Sequence, residues 1–193
     1  KYLDFKKVKN ELEIETNKNS YLTKNLILAI PLNKLKSKIP RNLTTTVNPI
    51  SLNRMFAIYP DDNYWYEDLD STYTDENIQR IFLKGSRLVQ IAYSSSERAD
   101  FWNELSKDQI KLKKELQKEL RRMFPEKKIK HPEMLNMHYW DAGIHLWKVG
   151  IEGEEISKKI LKPIDKLNVY VCNEAYSFNQ RWMEGSLEMS NRV

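Results

Sequence analysis

The hydrophobic and polar positions along this 193-residue chain predict an alternation of strands and helices. Two short stretches within residues 1–16 alternate apolar and charged side chains, which is typical of half-buried strands, and residues 17–20 have the composition of a turn. Residues 26–30 form a continuous apolar run that predicts a buried strand. Pro31 ends this run, and residues 32–39 predict one short helix.

The middle of the chain predicts three further strands. Residues 54–59 form one strand, which Pro60 ends, and the polar and aromatic residues 61–74 predict a loop. Residues 78–83 and 88–93 read as two strands around Gly85, so a hairpin is expected there.

Two helices are predicted next. Residues 97–105 form the first, and Ser106 with Gln109 three residues later matches a capping box for the second. Pro125 ends this helix, and charged residues, including Glu119, are expected on its exposed faces. Its apolar stripe consists of leucine and phenylalanine at spacings of four, namely Leu112, Leu116, Leu120 and Phe124.

The last third of the chain predicts a connector, a loop, a helix and a closing strand and helix. Residues 127–139 read as a basic extended connector, 140–153 as a loop and 154–161 as a helix. Residues 169–172 predict a strand, and a helix opening near Trp182 follows it after a turn. The order of elements therefore indicates an α+β or α/β fold.

Composition narrows the class of protein. Hydrophobic residues make up 40% of the chain, enough for a packed core, and no apolar run approaches the roughly 20 residues of a membrane span. Cys172 is the single cysteine, which excludes an internal disulfide and favours a reducing, intracellular and cytoplasmic location. The chain begins at Lys1 rather than at methionine, so we expect it to be part of a longer protein.

Net charge is +5, with 32 basic and 27 acidic residues. Acidic residues interrupt every basic cluster, including those of the helix after Ser106. A solvated mixed surface is therefore favoured over nucleic-acid binding, which stays a minority hypothesis that predicts salt-dependent binding to any polyanion.

The three histidines recur every seven residues, as His131, His138 and His145. Pro132 and Gly143 argue against placing them on one helix, and no cysteine or carboxylate cluster completes a ligand shell. No metal site is expected. His145, within an aromatic segment, is a candidate site residue.

The segment after the closing strand carries the strongest candidate chemistry. Glu174 follows the strand directly, where it is either a solvated turn residue or a carboxylate that holds the hydroxyls or phosphates of a nucleotide cofactor. The first backbone N–H groups of the last helix, at Trp182 and Met183, lack partners within the helix and favour anionic character nearby. Cys172 is expected to pack in the core.

These residues resemble the C-terminal cofactor motif of flavin-dependent amine oxidases, a family that includes monoamine, polyamine and L-amino-acid oxidases. The resemblance spans most of the chain. Its C-terminal part comprises Leu161-Lys-Pro, the strand 169–172, Asn173-Glu174-Ala175 and Trp182-Met-Glu-Gly-Ser186, and its weaker parts comprise Tyr139-Trp140, Gly143, His145-Leu-Trp147 and residues 25–34.

The resemblance implies a division of the chain into two parts. Residues 1–138 would belong to a substrate domain with a mixed sheet and flanking helices. Residues 139–193 would return to a split FAD-binding domain and supply its last strand and helix. None of the five glycines forms the G-x-G-x-x-G fingerprint of that domain's N-terminal half, which this chain therefore lacks.

The resemblance also implies roles for individual residues. Glu174 would lie by the ribityl and diphosphate region of FAD, and the backbone N–H of Met183 would face the pyrimidine edge of the flavin. Trp182 would form one wall of an aromatic cage in front of the flavin. The second wall falls at Leu146 or Trp147, and Trp147 is favoured because a cage wall needs an aromatic face.

Two substitutions depart from the family pattern. Arg181 stands where the family has a glycine that lets the backbone approach the flavin. Arg54 aligns with the family's active-site lysine, and arginine keeps a donor but does not lose its proton.

The resemblance implies an FAD-dependent oxidoreductase that moves hydride from a small-molecule amine to flavin, with reoxidation by oxygen. Catalytic residues would be Trp182, Trp147 and Arg54. The expected partners are the amine and the rest of the FAD-binding domain. The alternative is a degenerate, flavin-free relative with a structural or interaction role.

Overall fold

The structure, a computed structural model, describes residues 2–62, 64–85 and 87–193. The chain forms two compact units: a terminal unit of Lys1–Pro49 and Ile144–Val193, and a central unit of Ile50–Gly143. The first 49 residues thus cluster with the C-terminal part of the chain. The assignment of residues 1–138 to a substrate domain and 139–193 to an FAD-binding domain stays a prediction.

The terminal unit begins with an antiparallel meander. It consists of β1 (Tyr2–Val8), β2 (Glu11–Thr16) and β3 (Ser20–Thr23), in the order β1-β2-β3. The turn before β3 is closed by Thr16, whose hydroxyl donates to the Asn19 carbonyl at 2.7 Å. The predicted strands and turn of this segment are confirmed.

A parallel pair of strands joins the two ends of the terminal unit. Strand β4 (Leu26–Leu28) pairs with β10 (Val169–Val171), with Val169 opposite Leu26. Both strands were predicted from their apolar runs, and their alternate side chains are buried on one face.

The α-helices α1 (Leu32–Leu35), α2 (Arg41–Thr44), α5 (Gly153–Leu161) and α6 (Met183–Arg192) belong to the terminal unit. The prediction of one helix over 32–39 is wrong in length, because α1 ends at Leu35 after a single turn. The core of the unit is made of apolar side chains from all of these elements, including Leu28, Leu32, Leu35, Val47, Ile160, Val171, Tyr176 and Met189.

The central unit is built on a five-stranded sheet in the order β6-β7-β8-β5-β9. The strands are β5 (Val47–Ile58), β6 (Thr72–Tyr73), β7 (Arg80–Leu83), β8 (Leu88–Ser95) and β9 (Met134–Trp147). β7 and β8 form the antiparallel hairpin predicted around Gly85.

Helices α3 (Glu97–Leu105) and α4 (Gln109–Met123) supply apolar side chains to the core of the central unit. The bounds of α3 are those predicted. The predicted cap of α4 is wrong: the Asp108 carboxylate, not Ser106, accepts hydrogen bonds from the N–H groups of Ile110 and Lys111. The Ser106 hydroxyl instead donates to the Asn103 carbonyl at the end of α3.

The predicted connector at 127–139 and loop at 140–153 are wrong for residues 134–147, which form the single strand β9. Along its first part, side chains alternate between half-buried and exposed, which is the period of a strand with one covered face. Gly143 does not break the strand, because it allows a close approach to β5: a Cβ there would lie 2.4 Å from Leu52 Cβ.

Glu119 was expected on an exposed face of α4, but it is fully buried. Its carboxylate accepts hydrogen bonds from Asn77 Nδ2 at 2.7 Å and from the Ile78 N–H at 3.1 Å. Burial raises the pKa of the Glu119 carboxyl above its ordinary value, and the two hydrogen bonds oppose that rise. The partners lie far away in sequence, so the local charge pattern of the helix does not reveal this contact.

Candidate functional site

The candidate site begins where β10 ends. The Asn173 side chain fixes the turn that follows: its Oδ1 accepts from the Ala175 N–H at 2.9 Å, and its Nδ2 donates to the Ile30 carbonyl at 2.6 Å. These two bonds start a one-turn 3₁₀ helix, Glu174–Tyr176, directly after the strand. The acidic residue is thereby held at a fixed point at the end of the parallel strand pair.

Both carboxylate oxygens of Glu174 have partners. Oε2 lies 2.8 Å from His145 Nδ1, and Oε1 accepts a hydrogen bond from the backbone N–H of Arg181. The two side chains are well buried, at 7% exposure for His145 and 16% for Glu174. Glu174 therefore connects β9 to the backbone before α6. It is not the solvated turn residue that was the alternative.

His145 lies on β9 and faces inward. Its Nε2 is buried and has no hydrogen-bond partner among the residues that the structure describes. With Glu174 ionised, Nδ1 is the donor, since a carboxylate only accepts. The sequence had marked His145 as a candidate site residue, and the structure brings it to Glu174.

Gln180 links the same turn to the end of β9. Its Nε2 donates to the Ala175 carbonyl at 2.6 Å, and its Oε1 accepts from the Trp147 N–H at 3.0 Å. Sequence reasoning missed Gln180 and Asn173. Asn173 carried a signal, because asparagine before a helical turn is a preferred N-cap. Gln180 carried none, since its partner on β9 is distant in sequence.

Arg181 adopts a backbone φ of 76°, in the left-handed region. Glycine adopts this conformation without steric cost, whereas in other residues the Cβ atom makes it unfavourable. In the family that the sequence resembles, glycine occupies the position of Arg181. The backbone at Arg181 thus has a conformation that is typical of glycine. The Arg181 side chain is exposed.

Helix α6 begins at Met183, two residues after Arg181, and no side chain caps its N-terminus. Trp182 is its N-cap residue and makes no side-chain capping bond. Trp182 is 67% exposed and Met183 is 80% exposed. The first-turn N–H groups of such a helix carry partial positive charge and are available to an electron-rich ligand.

Gly185 lets α6 pack tightly against the preceding loop. A Cβ at this position would lie 2.3 Å from the Asn179 carbonyl oxygen and 2.3 Å from Ser177 Oγ. The helix therefore approaches the backbone of the loop more closely than any other residue would allow. This contact fixes the helix N-terminus relative to the turn at Glu174.

Trp147 is half-buried at the end of β9. Its ring packs edge-on against Tyr176, with centroids 6.1 Å apart. Leu146, the other candidate for the second cage wall, is 37% exposed. No ring contact joins Trp147 to Trp182 within the described ranges, so the aromatic cage stays a prediction.

Arg54 belongs to the central unit. It lies on β5, opposite Tyr93 on β8, with its guanidinium carbon 5.1 Å from the centre of the Tyr93 ring. Within the terminal unit, Glu174 contacts both His145 and Arg181. The predicted catalytic role of Arg54 stays a prediction.

Cys172 is a free, partly buried cysteine that packs against the core of the terminal unit. Its Sγ lies 3.2 Å from Ser190 Oγ. In the described part of the chain, no three histidine, cysteine or carboxylate side chains are grouped so that they could hold a metal ion. Nor does any helix there have the length and apolar character needed to cross a membrane.

Comparison with known proteins identifies the family of this chain. The family model for "Flavin containing amine oxidoreductase" matches residues 5–193. The chain therefore belongs to the flavin-containing amine oxidoreductase family. No curated protein matches it significantly.

The fold is shared by many solved structures, with 151 matching chains. One of them is described as "Putative protoporphyrinogen oxidase from Exiguobacterium sp. 255-15", with a TM-score of 0.73 and 9% sequence identity. The match covers 99% of this chain and 46% of that one, so the chain spans about half the length of its structural relative. The predicted mixed α/β fold of this family is confirmed.

The residues of the terminal unit fit a flavin cofactor of the kind that the family contains. Met183 and Glu184, the first two residues of α6, are exposed and no side chain caps the helix, so their N–H groups can donate to a ligand. Each oxygen of Glu174 already has one partner but can accept a second hydrogen bond, since a carboxylate has about four acceptor sites. The backbone at Arg181 has the left-handed φ that glycine adopts, while its side chain is exposed at this edge.

Proposed function

We propose that this chain is the C-terminal portion of an FAD-dependent amine oxidoreductase. The observation that carries the proposal is the hydrogen bond from the Arg181 N–H to the Glu174 carboxylate, which ties the acidic residue after β10 to the start of α6. Membership of the family supports flavin as the cofactor. The hydrogen bond supports Glu174 and α6 as the part of the chain that binds it.

In this proposal, three groups of the terminal unit hold the cofactor. The Glu174 carboxylate accepts hydrogen bonds from hydroxyl groups of FAD. The Met183 N–H and its neighbours in the first turn of α6 stabilise negative charge at the flavin edge. His145 fixes the orientation of the Glu174 carboxylate, because it occupies one oxygen at 2.8 Å.

When bound, FAD would supply the redox chemistry, namely removal of a hydride from the carbon beside an amine nitrogen and reoxidation by oxygen. The role of this chain is to bind and orient. Trp182, which is 67% exposed, offers an aromatic face beside the helix N-terminus, where a neutral amine can be positioned. Trp147 is the proposed second aromatic wall, and Arg54 the proposed counterpart of the family's active-site lysine.

The experiment that tests the reaction uses the whole protein that contains this chain, reconstituted with FAD. Amines of different classes are added without oxygen, and the flavin absorbance is followed. Bleaching by an amine, and recovery on admission of air, is the expected result. Absence of bleaching with aliphatic amines, polyamines and amino acids would contradict the proposed activity.

A second candidate is a flavin-free relative with a structural or interaction role. The exposed Arg181 side chain favours it, since a bulky cation stands where the family has glycine. Arg181→Gly distinguishes the two candidates. In the second candidate, the natural protein does not bind FAD and Arg181→Gly restores binding. In the first, both proteins bind FAD.

A further inference from the structure

A cleft of about 410 Å³ lies on the terminal unit, where the end of α1, helix α2, the start of β5 and the residue after β9 meet. Its basic side chains are Lys36, Arg41 and Lys148, and all three are exposed. Among the described residues, no aspartate or glutamate lines it. We call it the basic cleft. Its volume is in the range of sites that bind small molecules.

The three cations of the basic cleft start from fixed points of the backbone. The Lys36 N–H donates to the Leu32 carbonyl at 3.1 Å and so closes the end of α1. The Lys148 N–H donates to the Thr46 carbonyl at 2.9 Å, which holds the residue after β9 beside the start of β5. Arg41 is the first residue of α2. The fold thus brings together cations that are distant in sequence.

These three cations have no acidic partner within the described ranges, unlike several basic residues of the same unit. Lys38, two residues after Lys36, bonds to Asp4 at 3.0 Å. Lys158 and Lys159 bond to glutamates on their own helix, α5. Unpaired like charges along one cleft repel each other, so an anion bound between them lowers the electrostatic energy.

The hydroxyl groups of the cleft are already engaged. Thr44 Oγ1 and Thr45 Oγ1 both donate to the Arg41 carbonyl, at 3.1 and 3.0 Å, and each has thereby used its only proton. The donors that remain are the two lysine ammonium groups, the Arg41 guanidinium and the amide of the exposed Asn48. A set made almost only of charged donors selects an anion with several acceptor oxygens.

The number of cations favours phosphate over carboxylate as that anion. A carboxylate carries one negative charge, which a single guanidinium can match. A phosphate monoester carries about 1.5 to 2 negative charges near pH 7 and three acceptor oxygens, and a diphosphate carries more. Arginine binds two phosphate oxygens through its planar fork, and lysine binds phosphate as a point charge.

We propose that the basic cleft binds the phosphate groups of a phosphomonoester or a diphosphate. Arg41, Lys36 and Lys148 hold the phosphate oxygens, and Asn48 donates a further hydrogen bond. The ligand is a soluble phosphate ester or the headgroup of a phosphomonoester lipid, since both present this chemistry. The cleft shares no lining residue with the turn at Glu174 or with α6, so the proposal does not depend on flavin binding.

Binding is tested by isothermal titration calorimetry on the whole protein that contains this chain, with FAD present. The probe is inorganic pyrophosphate, and acetate at the same ionic strength is the singly charged comparison. We expect pyrophosphate to bind at least about tenfold more tightly than acetate. Glu174→Ala, in the proposed flavin site, should leave pyrophosphate binding unchanged. Equal affinity for acetate, or loss of pyrophosphate binding in Glu174→Ala, would overturn the proposal.

Two triple variants locate the site. Lys36→Gln, Arg41→Gln and Lys148→Gln combined should weaken pyrophosphate binding by at least about tenfold. The matched control removes the same charge from exposed lysines of the terminal unit outside the cleft, through Lys7→Gln, Lys18→Gln and Lys24→Gln combined, and should bind as the natural protein does. Thermal melts verify that both variants fold, and the three single cleft substitutions repeat the test if the triple variant does not.

Vesicles distinguish the two sources of phosphate. Sedimentation with phosphatidylcholine vesicles, with and without phosphatidic acid, reports binding to a lipid headgroup. Binding to pyrophosphate alone assigns a soluble ligand, whereas binding to phosphatidic acid vesicles that is lost in the cleft variant assigns a lipid. Failure of both probes to bind, or undiminished binding in the triple cleft variant, would reject the proposal.

Discussion

His145 Nδ1 lies 2.8 Å from Glu174 Oε2, and both side chains are largely withdrawn from solvent. The contact joins β9 to the turn after β10, two segments that are 29 residues apart. It places an oriented carboxylate beside the N-terminus of α6. An oriented carboxylate at this point is what the proposed flavin site requires.

Removal of the histidine should destabilise the terminal unit. His145→Ala leaves a buried carboxylate with one fewer donor, so we expect the free energy of unfolding to fall by about 1–3 kcal/mol. Urea denaturation measures it. His131→Ala, at an exposed histidine, is the matched control and should change it by less than about 0.5 kcal/mol. Equal effects of both substitutions would show that the contact contributes nothing to stability.

Arg181→Gly should stabilise the folded chain. The φ of 76° is unfavourable for arginine and acceptable for glycine, which is worth about 1 kcal/mol at such a position. Arg181→Ala removes the same charge but keeps the unfavourable backbone, so it should bring no gain. A thermal melt of the three proteins makes the comparison. Stabilisation by alanine equal to that by glycine would assign the effect to the side chain instead.

Glu119 should make stability depend on pH in a definite direction. Burial raises its folded-state pKa above the ordinary value of 4.5, so the folded state binds the proton more tightly than the unfolded state. The free energy of unfolding should therefore fall as pH rises from 4.5 through the raised pKa, and then level off. Below 4.5, Glu119 is protonated in both states and adds no pH dependence.

The matched comparison is Glu119→Gln, which does not titrate. Its amide NH₂ cannot accept one of the two hydrogen bonds that Glu119 accepts, so the variant should be less stable at low pH, but the gap to the natural protein should narrow as pH rises above about 4.5. Urea denaturation across this range measures the gap, and Glu126→Gln, at an exposed position, should run parallel to the natural protein. A constant gap for Glu119→Gln would contradict the raised pKa.

Trp182 should matter for function and not for stability. Its side chain is 67% exposed, so Trp182→Ala should change the free energy of unfolding by less than about 0.5 kcal/mol. In the reconstituted whole protein, the same change should slow amine oxidation about tenfold or more, because an orienting aromatic face is lost. An unchanged rate with a similarly unchanged stability would remove Trp182 from the site.

The sequence predicted those strands and helices that are determined by residues close together in the chain. The strand after residue 168, helix α3 and the β7–β8 hairpin follow from short apolar runs, periodicity and turn residues. Strand β9 was missed because Gly143 and scattered polar residues obscure its alternation, and its pairing in the sheet decides its conformation. Asp108 displaced Ser106 as a cap because α4 begins two residues later than the capping pattern implied.

The candidate site could be predicted only in part, because some of its contacts are local in sequence and others are not. Glu174 and the start of α6 are close in sequence, so their motif could be recognised. The contacts of Glu174 with His145 and of Gln180 with Trp147 connect segments about thirty residues apart, and only the folded chain reveals them. The burial of Glu119 has the same origin, since its partner Asn77 lies 42 residues away.

The central claim is that Glu174 and the start of α6 form part of an FAD site, and FAD binding to the whole protein tests it most directly. Absorbance and fluorescence titration with FAD are compared for the natural protein, Glu174→Ala and the exposed control Glu126→Ala. The account predicts that the natural protein and the control bind FAD with its typical visible spectrum, and that Glu174→Ala binds at least about tenfold more weakly. A natural protein that takes up no FAD, or a Glu174→Ala variant that binds it equally well, would contradict the account.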